Sequence, residues 1–263
     1  MATVAEYIYD IIEEKSDKRV SDWVFMSSSK PTIAIIVIYL ALIYLILPSY
    51  MKNRKPYDLT SVIRAYNIFQ ILSCITLIYW IATSGWVQGE YSLGCQPIDY
   101  SNNPKALSLL QAFHWTYFLK ITELVETVFF VLRKKFNQVS NLHVYHHAST
   151  VALAWFGCKF IGGGMASLPI MLNSFIHILM YLYYYLASLG PKWQKRLSPW
   201  KPRLTIAQMV QFTLLIIHAI GFLQPSCDAP RVFVMFYLPN VVLIYKMFYD
   251  FYKKSYNNKQ KQA

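Results

Sequence analysis

The chain has 263 residues, 56% of them hydrophobic and 14% charged, with a formal net charge of +12 at pH 7. Soluble domains carry roughly 25% charged residues, so this composition excludes an ordinary water-soluble globule. A basic chain could serve nucleic acid, but here the Lys and Arg residues recur loop by loop rather than on one stripe, and no nucleic-acid partner is expected.

In chain order, residues 1–30 form a leader without an apolar core. Its "EEKSDKR" excludes a cleavable signal peptide. Val4, Tyr7, Ile8 and Ile11 share one side of a short amphipathic helix, or else the leader is simply solvated. Seven apolar runs follow, each near the roughly 20 residues needed to cross about 30 Å of hydrocarbon as a helix. They are Pro31–Tyr50, Ala65–Thr83, Leu107–Leu132, Leu142–Phe160, Ser167–Leu189, Leu204–Leu223 and Val232–Phe251. The expected organisation is therefore one all-α integral membrane domain of seven transmembrane helices over residues 31–251. A basic tail follows at 252–263.

Charge placement orients these spans. Fifteen of the 25 Lys and Arg residues fall after the first, third and fifth spans and in the tail. The opposite loops, "SGWVQGEYSLGCQPIDYSNN", "IGGGMA" and "QPSCDAPR", contain one, Arg231. The positive-inside rule then predicts a lumenal amino terminus and a cytosolic carboxyl terminus. Cys74 and Cys158 lie inside spans as buried apolar residues. Cys95 and Cys227 fall in two lumenal loops, where a bridge can form; two free thiols are the alternative. In the tail, Lys259 and Lys261 of "KQKQA" resemble a dilysine retrieval address of the endoplasmic reticulum; interfacial anchoring is the other reading.

Ionisable groups inside a span are costly and mark function by default. The third span carries "KITELVET", in which Lys120, Glu123 and Thr127 fall on one helical stripe with Glu126 beside it; an internal Lys120–Glu123 pair is also open. The fourth begins with His143, His146 and His147, spaced i, i+3, i+4 on one face. The fifth holds Asn173, His177, Met180, Tyr181 and Tyr184 within one arc, and the sixth Thr205, Gln208 and Gln211 a turn apart, where interhelical hydrogen bonding is the alternative. Counted from the basic ends at about 1.5 Å per residue, Glu126 lies roughly 10 Å deep, His146 about 6 Å, Gln208 about 8 Å and His177 about 18 Å. Four separate stretches thus place polar faces in one half of the bilayer, which predicts a polar-mouthed cavity with an apolar interior.

Two chemistries suit such a cavity. A spacing of HxxHH can ligate metal, but membrane di-iron enzymes need about eight histidines in several boxes, and this chain has six. No metal is expected. The other is catalysis by neutral imidazole acting as base or nucleophile, and acyl transfer from a thioester fits it.

The motifs "KITELVET", "HVYHH", "NSFIHILMYLYY" and "TIAQMVQ" resemble, in order and spacing, the KxxExxDT, HxxHH, NxxxHxxMYxYY and TxxQxxQ set of the very-long-chain fatty acid elongase family. "DKRVSDWVFMS" also resembles that family's entry to its first span. One departure is Glu126, where the family usually has Asp; it keeps the charge and adds one methylene. The resemblance implies a 3-ketoacyl-CoA synthase of the endoplasmic reticulum, with helices two to seven as an inverted barrel around a tunnel closed at the lumenal side. It implies condensation of long-chain acyl-CoA with malonyl-CoA, without a cofactor. Partners would be those two substrates, membrane lipid, and a second copy or the other enzymes of the elongation cycle.

On that basis His146 is expected to attack the thioester while His143, His147 or His177 handles the proton, with His177 the closest rival as nucleophile. Asn173 and Gln208 would polarise carbonyl oxygens. Lys120, Glu123, Glu126, Thr127, Tyr181, Tyr184, Thr205 and Gln211 would line the substrate site. Lys134, Lys192, Lys195, Arg196 and Arg203 would meet the anionic CoA, or act only as topology anchors. The competing classes are a di-iron desaturase or hydroxylase, and a seven-helix transporter or receptor. Transport would favour access from both faces and broken helices at the midplane.

Overall fold

The computed structural model describes residues 14–225, 227 and 231–257. The expected leader helix over Val4, Tyr7, Ile8 and Ile11 and the Lys259/Lys261 pair lie outside them. Helices and no strands make up the regular structure of the described residues.

Local sequence explains where the helices start. In α1 (Lys30–Met51), Pro31 sits in the first turn, where its missing N–H costs nothing. The run α2 (Thr60–Ile81) starts five residues earlier than its apolar pattern suggests and continues to Trp86. Asn103 caps α3 (Pro104–Glu123) by accepting from the Lys105 N–H at 2.9 Å, again with proline first. One tightened residue, Leu124, separates α3 from α4 (Val125–Leu132). Ser140 caps α5 (Asn141–Phe160), its Oγ accepting from the His143 N–H at 3.2 Å. Then come α6 (Ser167–Ala187), the short α7 (Pro191–Leu197), α8 (Trp200–Gly221), and α9 (Arg231–Tyr252) with Pro239 inside it.

Four of these stretches, Lys30–Met51, Thr60–Trp86, Gly164–Ala187 and Trp200–Gly221, are long and apolar enough to cross a membrane. The helices α3, α4 and α5 carry the Lys, Glu and His cluster, which lowers their mean hydropathy. The outside of the molecule is greasy: Leu45 is 67% exposed, Tyr79 70% and Met235 71%. Its interior holds Asn67, Gln70, Lys120, Glu123, Glu126, His147, His177 and Gln211, all buried. Such inversion is stable only in a hydrocarbon solvent, where apolar exteriors cost nothing and polar groups must find partners inside.

Packing follows a fixed order of neighbours. The longest contact joins α2 to α6, and then α6 meets α8, α8 meets α9, α9 meets α5, α5 meets α3, and α3 returns to α2. Polar pins hold α2 on α6 at both ends: Arg64 Nη2 donates to the Ser188 carbonyl at 2.7 Å, and Trp86 Nε1 to Ser167 Oγ at 3.0 Å. Against α5 and α4, α1 stands outside this series, held by Tyr39–Thr127 and Thr32–Tyr117 hydroxyl pairs, each 2.8 Å.

At the end opposite the basic loops, connecting segments pack on one another. Cys95 and Cys227 are joined in a disulfide across 132 residues of sequence. Met165 N–H donates to the Gln96 carbonyl at 3.1 Å, so the 95–97 loop lies on the turn before α6. Residues 16–26 fold over the same end. There Arg19 grips Asp17 and donates to the carbonyls of Asp99 and Ser101, and the carbonyls of Val24 and Phe25 meet His114 Nε2 and Trp155 Nε1, each at 3.0 Å. Gly164 has φ 51°, and a Cβ there would stand 2.5 Å from the Pro97 carbonyl oxygen and 2.6 Å from that of Gln96. Backbone atoms cannot step aside as a flexible side chain can. Replacing Gly164 with Ala should destabilise this end by roughly 1–3 kcal/mol, whereas Gly94→Ala, which meets only Ser92 Oγ at 3.6 Å, should be neutral. Thermal unfolding of both variants in detergent checks the difference.

Candidate functional site

The helices line a cavity whose walls come from α2, α3, α5, α6, α8 and α9. Most of its lining is apolar, including Leu77, Phe113, Leu153, Ile170, Phe212 and Val241. Polar groups reach it at a few places only: Lys120, Glu123, His146, Asn173, His177, Gln211 and Asn240 among them.

The centre of this group is a buried ion pair. Lys120 Nζ lies 2.9 and 3.1 Å from the two carboxylate oxygens of Glu123, and Glu123 is fully buried. Their i, i+3 spacing on α3 makes the pair local, so no long loop has to be ordered to form it. The same ammonium donates to Asn173 Oδ1 at 2.7 Å on α6. That bond settles the amide's orientation and leaves the Asn173 NH₂ as a donor on the cavity wall. His177, one turn further along α6, places Nδ1 3.2 Å from Glu123 Oε1. Two residues expected from the sequence to share a face, Lys120 and Glu123, thus meet two from another helix around one ion pair.

A second layer stands behind the wall. Glu126 accepts from the Tyr181 hydroxyl and, at 3.0 Å, from that of Tyr66; Tyr66 in turn is held by Gln70 at 2.8 Å. His143 Nε2 is 2.9 Å from Thr127 Oγ1, which pairs with Tyr39 of α1. His143 and His147 lie with ring centroids 4.2 Å apart, while the His146 ring is nearly perpendicular to His147 at 5.3 Å. Of the three, only His146 lines the cavity. Helical geometry accounts for the split: His147 is about 40° round from His143, and His146 about 60° round in the other direction.

Glu126, His143 and His147 place one ligand atom each within 4.8 Å of one another, close enough to share an ion. Several of their acceptors are already engaged, Glu126 Oε1 by two tyrosines and His143 by Thr127, and His146 and His177 face the cavity instead.

The remaining expected residues lie elsewhere. Gln208 Nε2 is 3.7 Å from Met180 Sδ and stands outside the cavity lining, while Gln211, a turn along α8, lines it with a buried Nε2 that has no partner among the described residues. Thr205 is buried with its hydroxyl on the Lys201 carbonyl at 3.3 Å; Tyr184 is 42% exposed. Lys134 donates to the Lys52 carbonyl at 3.4 Å; Lys192, Lys195, Arg196 and Arg203 are exposed, with Arg196 over Trp193 and Arg203 over Trp200. None of these five lines the cavity. Tyr66, Gln70 and Asn240 belong to the polar system without having been singled out in the sequence. Their signal was the isolated polar residue in an apolar run, which by itself does not tell a wall residue from a helix contact.

Comparison with known proteins agrees with these motifs. Residues 24–263 match the model of the ELO: GNS1/SUR4 family. The chain is 42% identical to a very long chain fatty acid elongase of Aedes aegypti, across 97% of this chain and 72% of that protein. It is also 42% identical to very long chain fatty acid elongase 7 of Drosophila melanogaster (94% and 75%), and 38% identical to elongase 7 of Rattus norvegicus (96% and 90%).

Removing one member of a buried pair strands the other charge, at about 3–5 kcal/mol. Lys120→Met should therefore destabilise strongly, and Lys120→Met combined with Glu123→Leu should recover a large part of the loss. Unfolding midpoints of the single and double variants in detergent test this; a double variant no better than the single would refute it.

Proposed function

The chain belongs to the ELO: GNS1/SUR4 family, and we propose that it condenses a long-chain acyl-CoA with malonyl-CoA to a 3-ketoacyl-CoA, lengthening the chain by two carbons. The observation that carries this reading is the placement of His146 and His177 beside the Lys120–Glu123–Asn173 network on the wall of an otherwise apolar cavity. An acyl tail needs the apolar bore, and a thioester needs a nucleophile and donors at its mouth. We further read the six neighbouring helices as a barrel with α1 outside and seven crossings in all, with the barrel lying in the endoplasmic reticulum membrane. The amino terminus would be lumenal, and the basic end cytosolic, where CoA is found. The helix neighbour order, the greasy exterior and the basic loops support this placement.

In the proposed sequence the unprotonated nitrogen of His146 attacks the thioester carbonyl. The C–S bond breaks, the CoA thiolate leaves with the imidazole proton, and an acyl-imidazole remains. Malonyl-CoA then loses carbon dioxide, and the electron pair of the broken C–C bond becomes an enolate that attacks the acyl carbon. Cleavage of the acyl C–N bond, with one proton taken up from solvent at the departing nitrogen, restores neutral His146. Negative charge develops on a carbonyl oxygen in both steps, and the amide donors of Asn173 and Gln211 on the cavity wall are placed to meet it. His177, beside Glu123, positions or moves a proton. Glu126, Thr127, His143 and His147 set the orientation of α5 and hold no reacting atom. Exposed Lys192, Lys195, Arg196 and Arg203 attract the CoA phosphates at the basic end. No metal takes part. The 3-keto product then requires enzymes that reduce and dehydrate it.

Two half-reactions through a covalent intermediate give ping-pong kinetics. Purified protein should release CoA from acyl-CoA without malonyl-CoA, in an amount stoichiometric with enzyme. His146→Ala should lower that release by at least about a thousandfold, and chelators should leave it unchanged. Normal release from the variant, with loss in His177→Ala instead, would move the nucleophile to His177; chelator-sensitive oxidation of the chain would overturn the condensation reading.

A further inference from the structure

Away from the cavity, the basic end carries a groove between the end of α1 and the end of α4. Pro48, Met51 and Phe136 give it apolar walls, and Lys52 and Lys134 line it as well. The two segments that form it are fastened to each other. The Tyr57 N–H donates to the Leu132 carbonyl at 3.0 Å, and Lys134 Nζ to the Lys52 carbonyl at 3.4 Å. Within the first segment the Arg54 guanidinium stands 4.1 Å from the centre of the Tyr50 ring, and the Tyr50 and Tyr57 hydroxyls pair at 2.8 Å. A ligand would meet a surface already formed, with little ordering left to oppose binding.

Lys134 occupies a position that its residue type does not favour. At the end of α4 the Lys135 N–H donates to the Phe130 carbonyl at 2.8 Å and the Lys134 N–H to the Val131 carbonyl at 2.9 Å. This is the pattern of a helix end whose turn residue is left-handed, a place usually taken by glycine. Lys134 is that residue, with φ 54°. A side chain there strains the backbone, and such strain points to a side chain with a task. Its bond to the Lys52 carbonyl uses one of the three donors of the ammonium.

Charge says what the groove would hold. Residues 48–58 and 132–140 contribute Lys52, Arg54, Lys55, Arg133, Lys134 and Lys135 against one acid, Asp58. That carboxylate already accepts from the Thr60 N–H and hydroxyl at 3.0 and 2.6 Å. Exposed Tyr50, Tyr57 and Phe136 stand among these cations at the end of a helix long enough to cross a bilayer, as aromatic residues do at the level of lipid headgroups. An excess of positive charge beside apolar walls matches an amphiphile with an anionic head. None of these residues lines the cavity where a thioester would react.

We propose that this groove binds an anionic phospholipid of the leaflet at the basic end, its phosphate between Lys52 and Lys134 and its upper acyl chain against Pro48, Met51 and Phe136. The lipid joins the ends of α1 and α4, the helices that also meet through Tyr39 and Thr127 behind the histidines. The site is independent of the condensation chemistry and rests only on the placement of the chain in a membrane.

The test titrates full-length protein in a neutral detergent with phosphatidylserine or phosphatidylcholine and counts the lipid retained per chain by native mass spectrometry. We expect one phosphatidylserine per chain, held at least about tenfold more tightly than phosphatidylcholine. Lys134→Gly keeps the turn, which suits glycine, and removes the ammonium. It and Lys52→Gln should each weaken phosphatidylserine about fivefold and leave phosphatidylcholine unchanged. Lys253→Gln combined with Lys254→Gln removes two exposed charges outside the groove and should leave the lipid bound. Equal weakening by that pair would reduce the effect to general surface charge and overturn the site, as would unchanged affinity in both groove variants. Should Lys134→Gly fail to accumulate, Lys52→Gln alone decides. Glycerophosphoserine, the headgroup without its chains, and CoA should not displace the lipid at equal concentration. Displacement by the first would make the groove a free-anion site, and by the second a substrate contact; either result would overturn the proposal.

Discussion

The architecture rests on a charge that has nowhere else to go. Glu123 is fully buried, and an isolated carboxylate in such surroundings would cost many kcal/mol. Lys120 answers it from one turn away on the same helix, and that ammonium has a third bond to spend, on Asn173. The ion pair thereby becomes a cross-link between α3 and α6, and fixes both the donor of Asn173 and the position of His177. Hydrocarbon gives helices little hydrophobic reason to associate, so polar contacts and close packing decide which faces meet. Here the contact that joins the helices is also the one that builds the site.

Around that centre the polar residues divide by the direction they face. His146, His177, Asn173 and Gln211 look into the cavity; Glu126, Thr127, His143 and His147 form a layer behind, tied to Tyr66, Tyr181 and the Tyr39 hydroxyl of α1. The second layer explains why a helix outside the main packing order is present. Through Tyr39 and Thr127, α1 reaches the histidine cluster from behind. It also explains the tolerance for Glu at position 126, because the longer side chain still ends on two tyrosine hydroxyls.

The two ends of the molecule differ in kind. At one, the disulfide, the 95–97 loop, the Gly164 turn and residues 16–26 close over the helices with backbone hydrogen bonds and the Arg19 contacts. At the other, loops carry exposed Lys and Arg.

Much of this was legible in the chain itself. Apolar runs of bilayer length gave the helices, because lipid demands an unbroken period of some 20 residues. The spacing Lys120, Glu123, Thr127 and the i, i+3, i+4 histidines placed polar groups on helix faces, and the order of four motifs pointed to a family. Boundaries followed caps that the apolar pattern does not see, such as Asn103, Ser140 and the early start of α2. What no periodicity could provide was which face meets which helix. That His146 turns to the cavity while His147 turns away, that Gln211 rather than Gln208 lines the wall, and that Tyr66, Gln70 and Asn240 belong to the polar system all depend on contacts between helices distant in sequence. A helix's sequence determines the angular positions of its side chains; only its neighbours decide whether a given angle looks into lipid, into another helix, or into the bore.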